Sequence, residues 1–177
     1  MDFYQKLKQN REAILNLWFD QVIKTYPEDT ARLLAKSNNK FDNPVGSATK
    51  ESLESTLALV FENSDLTKQT NMDKLESALD PVVRIRAVQT IFTAEKAVGF
   101  VFGLKAIVKK KIGTWDEAFD SRVDQVALAA FNRFMKCRED IFLLKATESK
   151  RRIHRAFERA GLVEELNEEE LVGSKKS

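Results

Sequence analysis

Glycine and proline are scarce, with six and three residues in a chain of 177. A β-sandwich, a β-barrel or a glycine-cradled nucleotide fold needs more tight turns than that supply allows. The single cysteine excludes an internal disulfide and any cysteine-based zinc cage. The single histidine excludes the two-histidine metal motifs and leaves little room for histidine-dependent catalysis. Charge of one sign is lacking as well. The 29 Lys and Arg against 27 Asp and Glu leave a formal net charge of +2, which gives no footing for wholesale polyanion binding. Nor is there a long hydrophobic run. The longest, Ala97 to Val108, carries Lys105 within it and falls well short of the roughly 20 residues a membrane helix needs. Met1 to Asn10 is charged and lacks a continuous apolar core of the signal-peptide kind, so the expectation is a cytoplasmic protein without a membrane span.

Helical periodicity fills the chain. Phe3, Leu7, Ile14, Leu15, Trp18, Val22 and Ile23 share one broad face, which predicts a helix from Phe3 to about Tyr26, stopped by Pro27. A short helix then opens at Glu28 and Asp29, and Ser37 to Gly46 reads as a loop dense in turn formers. Leu53, Leu57, Val60 and Phe61 mark a helix over Ser47 to Glu62. A weaker helix is expected over Asn71 to Leu79, with Pro81 beginning another turn at a first helical position. Thr93 is the expected N-cap of a buried helix that runs to Ile112 and ends at Gly113.

Thr114 and Glu117 have the spacing of a capping box before the last helix. Phe119, Val123, Val126, Ala130, Phe134, Cys137, Ile141 and Leu144 then recur at steps of three and four, and no glycine or proline intervenes until Gly161. A helix from Trp115 to Ala160 is on the order of 70 Å long. A compact domain of this size is roughly 40 Å across. The expected architecture is therefore an all-α domain over residues 1–146, with a projecting helical extension and an acidic, partly disordered tail over 147–177.

Several residues have types suited to chemistry. Gly99 and Gly103, four apart on one helix face, allow a neighbouring helix to approach closely; with Cys137 they also form a candidate ligand pocket. Cys137 lies in the buried register, where a thiol acts as a small hydrophobe, and its flanking cations would lower its pKa were it exposed. Of Arg84 and Arg86, at least one should face solvent, and a half-buried one should bind helix-end carbonyls or a Glu; an anion or small ligand is the other reading. Lys150, Arg151, Arg152 and Arg155 are candidate partner contacts. The five glutamates that follow them, and the lack of interleaved aromatics, argue against nucleic acid. There is no G-x-S-x-G, P-loop, H-E-x-x-H or calcium loop, and no residue has a positive claim to catalysis or metal binding.

The blocks I-L-x-L-W-x-x-x-V-x-x-T-Y-P (Ile14 to Pro27), F-x-N-P-V-G (Phe41 to Gly46), R-I-R-A-V-Q (Arg84 to Gln89), A-V-G-F-V-F-G-L-K (Ala97 to Lys105) and F-x-x-x-M-K-C-R-E-x-I (Phe131 to Ile141) follow one another in this order. Together, over roughly residues 5 to 152, they make the chain resemble the RsbRD N-terminal domain family, the sensory modules of RsbR-type stressosome co-antagonists. The resemblance implies a globin-like helical fold that dimerises without haem and passes a signal along its last helix to a STAS domain. About 25 residues follow Arg152, so no STAS domain is expected here, and kinase binding and phosphorylation are not carried over. The expectation is a non-enzymatic sensory or adaptor homodimer, without cofactor, that engages an unidentified signalling protein. The alternative is a small-ligand, redox or haem-binding sensor with its pocket near Gly99, Gly103 and Cys137.

Overall fold

The computed structural model describes residues 2–36, 40–62 and 65–161. Among them are eight helices and no strand: α1 (Phe3–Gln9), α2 (Arg11–Ile23), α3 (Glu28–Ala35), α4 (Pro44–Phe61), α5 (Gln69–Ala87), α6 (Ala94–Val98), α7 (Phe100–Ile112) and α8 (Glu117–Arg159). The chain divides into two units, Met1–Arg138 and Glu139–Ser177. The expected acidic tail from Leu162 onward lies outside the described residues, as do the first three residues of the expected loop at 37–46.

The first unit holds the core. α4 packs on α5 and α2, α2 packs on α7, and α1 touches α2, α4 and α7. Trp18, Leu57, Leu79, Leu104 and Phe119 are fully buried among them. Trp18 fits because its indole N–H finds a buried acceptor, the Phe100 carbonyl at 2.9 Å. The expected faces of α2 and α4 and the residues Phe119, Val123, Val126, Ala130 and Phe134 of α8 all lie in this core.

Three expected helices have different bounds, each for a local reason. The first divides at Asn10, whose side-chain amide donates to the Lys6 carbonyl at 2.9 Å and so competes with the helical ladder. The expected pair around Pro81 is a single helix, with Pro81 inside it. Pro81 sits on the exposed side, where the Ser77 carbonyl that loses its N–H donor is itself on an exposed residue and open to water. The expected Thr93–Ile112 helix breaks at Gly99, although Thr93 does cap it and Gly113 ends it in the left-handed region at φ 74°.

Two caps also differ from expectation. α4 begins at Pro44, because Asn43 caps it: its Oδ1 accepts from the Gly46 amide at 2.9 Å while its Nδ2 donates to the Leu34 carbonyl at 2.7 Å. A Cβ at Gly46 would lie 2.2 Å from the Asn43 side chain, which accounts for the glycine of N-P-V-G. At α8 the Phe119 amide donates to Asp116 Oδ1 at 2.8 Å, so Asp116 takes the capping role expected of Thr114.

In α8 burial ends with Cys137. Ile141 is half-buried and Leu144 is exposed, unlike the register they continue. The second unit, over its described residues 139–161, has no buried residue.

Candidate functional site

Three features concentrate interactions or leave surface open: a set of arginines at helix ends, the two faces of α8, and a groove between α2 and α7.

Arg86 has no exposed surface. Its guanidinium donates to the Val22 carbonyl at 3.0 Å, the Thr25 hydroxyl at 2.8 Å and the Lys96 carbonyl at 3.0 Å. Val22, whose carbonyl also accepts from the Thr25 amide and hydroxyl, is near the end of α2 and Lys96 is near the end of α6, so one side chain bonds carbonyls of two helix ends, where the dipole favours a cation. Phe92, Phe100 and Tyr26 surround it, with ring centroids 4.8, 4.8 and 5.3 Å from its Cζ. Among the described residues it has no carboxylate partner, and its Nε and the Tyr26 hydroxyl find no hydrogen bond. Burial pushes the Tyr26 phenol up, against the pull of the nearby Arg86 charge.

Arg84 of the same motif is exposed and pairs with Asp80 at 3.1 Å. The reading of one solvent-facing arginine and one bound to helix-end carbonyls therefore describes this pair. Two further arginines do the same job and have no local signature in the sequence. Arg122 donates to the Leu59 and Val60 carbonyls at 2.9 and 3.1 Å and to Glu62, at the end of α4. Arg138 donates to the Ala87 carbonyl at 3.0 Å, at the end of α5.

On α8 the face that carries Phe119, Val123, Val126, Ala130, Phe134 and Cys137 is buried. Continued at the same steps, it meets Ile141, Leu144 and Glu148 and then Arg151, Arg155 and Arg159. The opposite side behaves otherwise. Phe131, Met135, Phe142, Ala146, Ile153 and Phe157 follow at alternating steps of four and seven, an eleven-residue repeat, and the five large ones are 41–70% exposed. An eleven-residue period is close to 3.67 residues per turn, so such a stripe runs almost straight along a helix. By this register Arg151 and Arg155 share a face, Arg152 adjoins them and reaches Glu148 at 3.7 Å, and Lys150 stands apart, beside the apolar stripe. His154 is exposed and lies 3.3 Å from Glu158.

The three residues of the candidate pocket have separate surroundings. A Cβ at Gly99 would meet the Glu95 carbonyl of its own helix at 2.7 Å, and one at Gly103 would meet the Gln21 side chain at 2.3 Å. Gly103 thus admits α2 closely, and Cys137 is buried in the core register of α8. A groove of about 570 Å³ does lie between α2 and α7, and Gln21 lines it. Its apolar floor is Leu17, Ala106 and Ile107, and its rim carries Lys24, Lys110, Lys111 and Asp20. On the far side of α7, Lys105 meets Asp120 at 3.0 Å and Asp124 at 2.7 Å on α8. Burial opposes the Lys105 charge, but hydrogen bonds to Asp124 and Asp120 outweigh it and hold the ammonium above its usual range.

Among the described residues, no group of three or more His, Cys, Asp or Glu is placed to hold a metal ion, and no helix is long and apolar enough to cross a membrane. No protein-family model, curated protein or solved structure matches the chain.

Proposed function

We propose that this chain is a non-enzymatic sensory or adaptor module with a globin-like, haem-free fold. It acts as a homodimer whose α8 helices pair along the exposed stripe and carry a signal to a partner protein. The five ordered motif blocks by which the chain resembles the RsbRD N-terminal domain family support this reading, as does the succession of helices. The observation that carries it is the divergence of the two faces of α8. Past Cys137 the core-facing register turns to arginine, while the opposite register stays apolar through Phe157.

Over residues 139–159 α8 has no buried side, and the large apolar residues of the stripe left in water are costly unless another surface covers them. A second α8 supplies that cover, because the eleven-residue repeat suits a long, nearly straight two-helix seam. The arginine face then remains outward on each copy. Arg151, Arg152 and Arg155 present it to an acidic partner, and Lys150 flanks the seam.

Phe142→Glu tests the seam. It places a carboxylate in the stripe of each copy, at a site 70% exposed in the single chain. Light scattering should find twice the 20.2 kDa chain mass for the native protein and a single chain mass for the variant, with the unfolding midpoint of the first unit unchanged. A native protein that stays monomeric, or a variant that stays dimeric, would overturn the reading.

A further inference from the structure

The α2–α7 groove has no role in the dimer just described. Its floor is apolar and partly open, for Leu17 is 47% exposed and Ala106 is exposed beside it. Its rim gathers three lysines from two helices against one carboxylate, Asp20. The three do not neutralise one another's surroundings: among the described residues neither Lys24, Lys110 nor Lys111 makes an ion pair. Lysines in the last turn of α7 suit that helix's dipole, and Lys110 and Lys111 alone would need no other account. Lys24, at the C-cap of α2, suits that helix's dipole in the same way, but the two helix ends together bring all three lysines to one groove.

An apolar floor with a cationic rim selects a ligand that carries one negative group on an apolar body. Chain length can be set against volume. At roughly 30 Å³ for each methylene, about that of a liquid water molecule, 570 Å³ admits an acyl chain of medium length with its head at the rim. The Gln21 side chain is movable, since it is exposed and packs over Gly103, where there is no side chain to oppose a shift. Such a ligand would sit on the face of α7 opposite Lys105, the residue that ties α7 to Asp120 and Asp124 of α8.

We infer that the α2–α7 groove is a binding site for a small amphiphilic anion, with its apolar body on Leu17, Ala106 and Ile107 and its anionic head on Lys24, Lys110 and Lys111. The head is a carboxylate or a sulfate-like oxyanion, and the site is independent of how α8 pairs.

The test titrates the full chain with decanoate, decyl sulfate, decanol and decyltrimethylammonium, each below its micelle threshold, by calorimetry. The anions should bind, with decanol about tenfold weaker, as loss of one charge-assisted contact implies. The cation should be weaker again. The ratio of decanoate to decyl sulfate tells which head the rim prefers. Lys110→Glu/Lys111→Glu should abolish the preference for anions, and Leu17→Asp should weaken all four ligands. Lys24→Glu serves in place of the double variant if that variant fails to fold by circular dichroism. Phe142→Glu should bind decanoate as the native chain does, which separates this site from the dimer seam. No binding of decanoate, equal binding of cation and anion, or binding that survives both the rim and floor variants would overturn the inference.

Discussion

Arg86 and Val22 stand 64 positions apart in the chain, and the guanidinium of one donates at 3.0 Å to the carbonyl of the other inside the core. The contact adds to helix-end hydrogen bonding: the Val22 carbonyl, at the end of α2, also accepts from the Thr25 amide and hydroxyl, while the Lys96 carbonyl stands at the break before Gly99. Arg86 supplies donors to both from a buried site with no opposing carboxylate.

Arg86→Met should destabilise the chain by roughly 3 kcal/mol, because it takes a donor from each of the Val22, Lys96 and Ala97 carbonyls. Arg86→Lys, which keeps the charge but loses the fork, should fall between Met and the native residue. Arg84→Ala, at an exposed pair, should cost under about 1 kcal/mol. Urea denaturation measures all three. If Met proved as stable as Arg, the guanidinium would contribute nothing net to the core.

Asp80 predicts an acid-sensitive contact. Burial raises its pKa, but hydrogen bonds from Arg84 and Arg133 and their charges outweigh this and hold the carboxyl below the usual range. A depressed folded value means the contribution is complete above the unfolded pKa and is lost as pH falls through the folded one. Asp80→Asn should thus be less stable than the native chain by about 1 kcal/mol at neutral pH. That gap should begin to close below about pH 4 and vanish once the native carboxyl is protonated. A gap that stayed constant down to strong acid would mean Asp80 does not titrate in this way.

Gly99 and Gly103 should respond in opposite directions to alanine. At Gly103 the new Cβ meets only the end of the exposed Gln21 side chain, which can turn away, so the gain in helix propensity of about 1 kcal/mol is largely kept. At Gly99 it meets the backbone carbonyl of Glu95, which is itself fixed by the Gly99 amide at 2.7 Å. Gly99→Ala should lose about 1–3 kcal/mol, as overpacking does. Thermal melts of the two variants would decide it, and a loss at Gly103 as large as that at Gly99 would show that Gln21 cannot move.

Local signals in the sequence account for much of this fold. Pro27 and Gly113 end their helices because a missing donor and a left-handed residue act where they stand. The buried register from Phe119 to Cys137 follows from spacing alone. Asn10 and Gly99 were not legible as breaks, because each acts through one hydrogen bond or one close approach that periodicity does not register. Pro81 misleads for the converse reason: on the exposed side of a helix the carbonyl it frees, that of Ser77, is open to water. Arg122 and Arg138 carry no sign in the sequence of the helix ends they bond. On α8 they read as ordinary charged residues, and only the arrival of α4 and α5 ends gives them work. The open stripe from Phe131 to Phe157 was present in the spacing, but the stronger buried register on the same helix obscured it.

The same two arginines bear on how the chain is made. Arg122 closes the end of α4 and Arg138 the end of α5, yet both emerge from the ribosome long after the helices they close. Until α8 is synthesised, the nascent chain carries two helices with open carbonyl ends and a core that still lacks Phe119 and Phe134. The first unit therefore completes its core only when its last helix arrives.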